Sequence, residues 1–206
     1  EQYATGMLVI VNVGIGNVAS VRNMLSGLGH AASLKATPDG LSENDQYILP
    51  GVGAYDEGVR RLRAGGWHDH LRALPETTHI LGICLGMHLL VSCSVEGIVV
   101  VLVRISAFFE LFDIAPLRVP HMGWNVVQPI DNDPLFDPEL PELRYYFTHS
   151  FHAVCDDKSV EVGVTNYGIN FTSAFRRGNT RGVQFHPEKS HRFGFSLLAR
   201  WAELSC

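Results

Sequence analysis

The chain has 206 residues, 46% of them hydrophobic and 18% charged, and a net charge of −5. That composition suits a globular fold with one sizeable core and offers no basic surface for nucleic acid. Four cysteines, at 84, 93, 155 and 206, form no C-x-x-C pair and no dense framework, so a reducing, cytoplasmic setting is the simpler expectation.

No Pro/Gly/Ser-rich linker or charge run divides the chain, so one domain over residues 1–206 is expected. Glu1 to Gly6 carries no basic residue, and the apolar run behind it is too short for a secretory signal. These six residues are expected to lie outside the fold. Ile98 to Val103 is far too short to span a bilayer, so no membrane partner is expected.

Met7 to Val13 is a continuous apolar, β-branched run that suits a buried parallel strand. Gly14-Ile15-Gly16-Asn17 turns the chain. Val18, Val21, Met24, Leu25 and Leu28 then recur at helical spacing until Gly29. Ala31 to Ala36 and Asp45 to Leu49 are the next strands, the latter ending in Pro50-Gly51-Val52-Gly53. Tyr55 to Leu74 reads as one long helix loosened at Gly65-Gly66, and His79 to Ile83 as the fourth strand. Strands alternating with helices predict an open, mostly parallel sheet with helices on both faces, a flavodoxin-like α/β fold. Ligand sites in such sheets lie at the carboxyl ends of the strands, where Gly14, Pro50-Gly51 and Cys84 all fall.

The second half differs. Ile98 to Arg118 matches no clear pattern. Pro120 to Asn125 reads as a loop with an exposed tryptophan, and Tyr145 to His152 as strand-like. Glu161 to Asn166, Ile169 to Phe175 and Gly182 to His186 are strand candidates split by turn residues, which suggests antiparallel pairing. Phe193 to Leu204 closes the chain as an amphipathic helix.

Two stretches carry chemistry. In Gly82-Ile83-Cys84-Leu85-Gly86, glycines flank a cysteine between a strand and a helix, the pattern of a nucleophile elbow with sulfur as the attacking atom. A helix opening at Leu85 also aims backbone N–H groups at the thiol. The competing reading of Cys84 is a small buried hydrophobe. In Gly182-Val183-Gln184-Phe185-His186-Pro187-Glu188, extended backbone puts His186 and Glu188 on one face. Glu188 can then select the tautomer of a His186 base. The Leu85 amide and the Gly51-Val52-Gly53 backbone are candidate oxyanion donors. His68-Asp69-His70 and His149/His152 have ligand-like spacing, but no further residue completes a metal set. Gly14-Ile15-Gly16-Asn17-Val18-Ala19 matches G-x-G-x-x-A, so dinucleotide binding is an alternative. The acid expected after the second strand is missing, however, where Leu34-Lys35-Ala36 stands.

With these residues assembled, the chain resembles the class I (triad-type) glutamine amidotransferases. Within them it resembles the glutaminase subunits of imidazole glycerol phosphate synthase, which serve histidine biosynthesis. Pro50-Gly51-Val52-Gly53, Gly82 to Met87, Val119 to Asn125, Tyr146 to Ser150 and Gly182 to Ser190 carry the resemblance. It implies Cys84 as nucleophile, His186 as general base and acid, and Glu188 as its orienting carboxylate. Glutamine would be hydrolysed through a γ-glutamyl thioester, without a cofactor or metal. Gly51, Val52, Gly53 and Leu85 would hold the oxyanion, and His88, His149, Ser150 and Phe151 the substrate. Gly14, Gly16, Asn17, Trp124, Asn125, Lys189 and Ser190 match the face that docks a (β/α)8-barrel cyclase partner in a heterodimer. The family usually carries glutamine where His88 stands and a turn-rich stretch where Ile98 to Ile105 stands. A paralogous role in surface-sugar biosynthesis and a catalytically inactive scaffold are alternatives.

Overall fold

The computed structural model describes residues 6–91 and 102–204. Residues 1–5 and the run Ile98 to Val101 lie outside them, as do Cys93 and Cys206. The chain opens with β1 (Leu8–Val11), α1 (Val18–Gly27), β2 (Ala32–Lys35) and β3 (Gln46–Gly51). Next come α2 (Tyr55–Ala64), α3 (Trp67–Ala73), β4 (Ile80–Cys84) and α4 (Leu85–Leu89). Strands dominate the remainder: β5 (Ala107–Leu111), β6 (His121–Pro129), β7 (Leu143–His149), β8 (Phe151–Cys155), β9 (Glu161–Tyr167), β10 (Ile169–Arg177) and β11 (Thr180–Val183). The helix α5 (His191–Glu203) closes the fold.

The sheet runs β2-β1-β3-β4-β11-β10-β9-β6-β7, with β8 also paired to β10 and to β5. Pairings from β2 through β4 to β11 are parallel, and those from β11 onward are antiparallel. The mostly parallel sheet with antiparallel strands in its C-terminal half is the architecture the sequence predicts.

Alternation along the strands builds two cores. Leu8 and Ile10 of β1, Ile48 of β3, and Leu81 and Ile83 of β4 pack with α1 and α5 on one face. Val9, Val11, Tyr47, Leu49 and Ile80 pack with α2, α3 and α4 on the other. β1, β3 and β4 are therefore buried on both sides, which is why they read as unbroken apolar runs.

Four expectations need correction. The helix over 55–74 is two helices, because Gly66 at φ +76° caps α3 and breaks the run. Residues 121–125 are not a loop: they begin β6, whose ladder to β7 runs from His121↔His149 to Val127↔Leu143. Residues 145–152 are two strands, separated at Ser150. The unreadable stretch holds β5, which among the described residues pairs with β8 alone and leaves Leu111 55% exposed, so no hydrophobic pattern marks it.

Candidate active site

Cys84 ends β4 and caps α4 at φ 52°, ψ −111°, a conformation that costs a non-glycine residue on the order of 1–3 kcal/mol. Its surroundings hold it there. A Cβ on Gly82 would sit 2.6 Å from the Gly86 carbonyl oxygen, and one on Gly86 would overlap the Leu49 carbonyl. The two glycines flanking the cysteine are thus set by close backbone approach. The elbow aims the sulfur away from the sheet into a cleft of ≈ 310 Å³. That lies at the small end of ligand sites and suits a molecule of amino-acid size. The helix behind the elbow has only five residues, so its dipole adds less at the thiol than the sequence suggests.

β11 lies beside β4 in parallel, with Val183 opposite Ile83. That register carries Gln184 and His186 past the carboxyl end of the sheet, alongside Cys84. The backbone at 187–189 is a 3-10 turn led by Pro187, rather than the extended chain expected. Proline tolerates the first position of such a turn, where no N–H is needed. The turn still brings Glu188 onto the ring: His186 Nδ1–H donates to Glu188 Oε1 at 2.7 Å, with both side chains at most 2% exposed. Burial pulls His186 down, but the adjacent thiol and Glu188 more than offset it and push the imidazole up to about 9. Among the described residues His186 Nε2 has no partner apart from the adjacent Cys84 thiol, for which this ring nitrogen is left.

Ser190 anchors this turn. Its hydroxyl donates to the His186 carbonyl at 2.6 Å and accepts from the Tyr146 N–H at 3.0 Å, while the His186 N–H donates to the Tyr146 carbonyl at 2.9 Å. Ser190 is fully buried. It belongs to the scaffold of the base, where the resemblance had placed it on a docking face.

The glycine loop Gly51 to Gly53 edges the cleft. The Val52 N–H donates to the Ile15 carbonyl, so it is engaged, and Gly53 sits at φ +105° in open space. Arg61 Nη1–H donates to the carbonyls of Val13 and Gly14 at 3.2 and 3.5 Å. The G-x-G-x-x-A loop is therefore tied to β3 and α2, which accounts for it without a dinucleotide.

Opposite, β7 and β8 bring Thr148 to Phe151 to the cleft. Both ring nitrogens of His149 are committed. Nδ1–H donates to the Phe151 carbonyl at 2.7 Å, and Nε2 accepts from His121 Nδ1–H at 2.9 Å. His121 Nε2 in turn accepts from Asn125 Nδ2–H at 3.1 Å. Burial drives His149 well below the ordinary imidazole value and His121 to about 4. Asn125 thus spends its side chain inside the fold, while Trp124 is 42% exposed and stacks on His191. Lys189 and Asn17 are exposed near the same side.

His88, on α4, is buried at the cleft wall. It stacks on Phe109 with ring centroids 3.7 Å apart, and its Nε2 meets Gln184 Oε1 at 3.0 Å. Gln184 Nε2–H points at Cys84 Sγ at 3.8 Å. The sequence reading gave Gln184 no role. Its place two residues before His186, and hence on the same strand face, was the signal that could have found it.

A cysteine on a strained elbow beside a buried His–Glu pair, on this sheet, is the arrangement that thiol-dependent amide transfer requires. Residues 9–200 match the family model described as "Glutamine amidotransferase class-I", and the chain belongs to that family. It is 42% identical to imidazole glycerol phosphate synthase subunit HisH 2 of Methanococcus maripaludis, over 93% of this chain and 96% of that one. It is 39% identical to the subunit HisH 2 of Pseudomonas aeruginosa, over 96% of this chain and all of that one. Among solved structures, a glutamine amidotransferase superposes with a TM-score of 0.68 at 20% identity, over 93% of this chain and 98% of that one. PurLQS from Thermotoga maritima gives 0.69 at 17%, over 97% and 96%. At those identities the two structures speak for the fold alone.

Proposed function

We propose that the chain is the glutaminase subunit of an imidazole glycerol phosphate synthase in histidine biosynthesis, hydrolysing L-glutamine and delivering ammonia to a cyclase partner. The observation that carries the chemistry is the buried 2.7 Å His186–Glu188 pair beside the strained Cys84 elbow. Cys84 Sγ attacks the glutamine amide carbon to give a tetrahedral oxyanion. His186, its imidazole pushed up to about 9 beside the thiol and Glu188, takes the proton of the Cys84 thiol as Sγ attacks and gives that proton to the departing ammonia. The remaining γ-glutamyl thioester is cleaved by a water whose proton returns to His186, releasing glutamate and restoring the thiol. Glu188 accepts from His186 Nδ1–H and holds the tautomer.

Leu85 and Gly53 are the backbone donors assigned to the oxyanion, with Val52 joining them once its N–H leaves Ile15. The Ser150 hydroxyl and the backbone of residues 149–151 face the amino-acid end of glutamine, since the His149 ring is already engaged. The partner is a (β/α)8-barrel cyclase in a heterodimer. Exposed Met122 and Trp124, with Gly14, Asn17 and Lys189, support a docking face there. Among the described residues no helix is long and apolar enough to cross a membrane, and the reading includes a cytoplasmic location.

Glutamate release, measured with the cyclase partner and its ligand present, tests this. Wild type should turn over and Cys84→Ala should not. Equal release by the two would overturn the assignment of Cys84.

A further inference from the structure

We propose that His88 is a positioning residue for Cys84: its Nε2–H holds the Gln184 carbonyl and so turns the Gln184 amide N–H toward the sulfur. This deepens the reading of Cys84 as nucleophile and rests on it.

The contacts form a directed chain. His88 Nε2 lies 3.0 Å from Gln184 Oε1, and Gln184 Nε2 lies 3.8 Å from Cys84 Sγ, within reach of a hydrogen bond to sulfur. Gln184 is fully buried and His88 is 5% exposed, so water does not compete for either group. An amide can sit either way round in such a slot. One orientation gives the sulfur a donor, and the other sets a carbonyl lone pair against it, which opposes a thiolate. The choice is made at the far end of the amide. A neutral imidazole protonated at Nε2 can only donate there, so it selects Gln184 Oε1 and leaves the NH2 for Cys84.

His88 is fit for this. Burial pulls its imidazole down to about 4, so it stays neutral through the working range. Phe109 stacks on the ring and fixes its plane. With the proton on Nε2, Nδ1 is a bare acceptor, and it is buried without a partner among the described residues. A residue whose task was to grip an ammonium or carboxylate group of the substrate would not direct its donor into the protein. Where the family usually places glutamine, this chain has instead placed a rigid donor that acts on the nucleophile through a second amide.

The test is alkylation of Cys84 by iodoacetamide, which needs no glutamine pocket, read at the Cys84 peptide by mass spectrometry. His88→Phe keeps the stack on Phe109 and loses the donor, and should slow alkylation at pH 7.5 by about three- to ten-fold, the worth of one hydrogen bond. Gln184→Met should slow it as much, and the double variant no more than Gln184→Met alone. His88→Gln, whose terminal nitrogen reaches the Nε2 position, should keep the wild-type rate, whereas His88→Asn, which reaches only the Nδ1 position, should not. In glutamine turnover with the partner, His88→Phe should lower kcat and leave KM within about twofold. Wild-type alkylation of His88→Phe, additive slowing in the double variant, or equal rates for the Gln and Asn variants would each overturn the proposal. If His88→Phe does not fold, the Gln and Asn pair decides. Turnover by Cys84→Ala would instead overturn the nucleophile assignment beneath it, whatever the His88 variants do.

Discussion

The two walls of the cleft beside Cys84 are built to different standards. On the base side, His186 and Glu188 are buried, hydrogen-bonded to each other, and strapped through Ser190 and Tyr146 to β7. On the oxyanion side, Val52 is 44% exposed, its N–H is held by Ile15, and Gly53 stands at φ +105° where an added Cβ would meet nothing. Proton transfer favours a fixed group in dry surroundings, and the buried, mutually bonded His186 and Glu188 meet that requirement. Oxyanion donors work when already aimed at the developing charge, and on this more exposed wall the Val52 N–H is instead held by Ile15.

The largest break in that contrast should come from Glu188→Gln. It keeps size and burial but removes the charge that holds His186 up. Turnover should fall by about 10²–10⁴, as when an orienting carboxylate is lost from a triad, with the fold intact by circular dichroism. A loss under tenfold would mean that His186 is oriented without Glu188.

pH sharpens the contrast next, because His186 and the buried His88 and His121 are moved from the ordinary imidazole value in opposite directions. His186 is raised from 6.5 to about 9, so its contribution to stability is full below pH 6.5 and is lost as pH rises toward 9. His88 and His121 are lowered from 6.5 to about 4, so the folded state loses ground as pH falls from 6.5 toward 4, on the order of 3 kcal/mol for each at the acid end. Melting temperature should peak near pH 6.5 and drop on both sides. A flat profile from 4 to 9 would contradict these environments.

Ser190→Ala is expected to be smaller. It leaves the Tyr146 N–H without its acceptor inside the fold and should cost about 1–2 kcal/mol in stability. Because His186 shifts with its own carbonyl, kcat should fall more than KM changes. Full activity would place Ser190 outside the scaffold of the base.

How much of this was legible in the sequence follows the same division. The elbow is readable because Gly82, Cys84 and Gly86 constrain each other within five residues. His186 and Glu188 are readable because a single residue separates them, and their pairing survives although the backbone between them is a 3-10 turn rather than extended. The link from His88 to Gln184 spans 96 residues, and no local pattern announces it. Ser190 looked like a surface polar residue because its two partners lie on the facing strand and the preceding turn. β6 looked like a loop because Pro120 and Gly123 are turn residues by habit, while its ladder to β7 is long-range. The engagement of Val52 by Ile15 joins two loops whose sequences each read as a turn and nothing more.

The smallest expected effect tests the more exposed wall directly. At Gly53 a Cβ would meet nothing within 4 Å, so Gly53→Ala introduces no clash and acts only through φ +105°. An L-residue resists that value at a cost of about 1 kcal/mol or somewhat more, and it relieves the strain by turning the loop. Unfolding should shift by only a few degrees, since the loop bears little of the core. Turnover should fall about five- to tenfold, because the Gly53 N–H moves with the same rotation. Val52→Ala makes the control: Val52 is 44% exposed and the role proposed for it lies in its backbone, so stability should stay within about 0.5 kcal/mol of wild type. If Gly53→Ala turns over like wild type, the oxyanion is held elsewhere, by Leu85 and groups on α4, and the contrast between a finished wall and a waiting one would no longer hold.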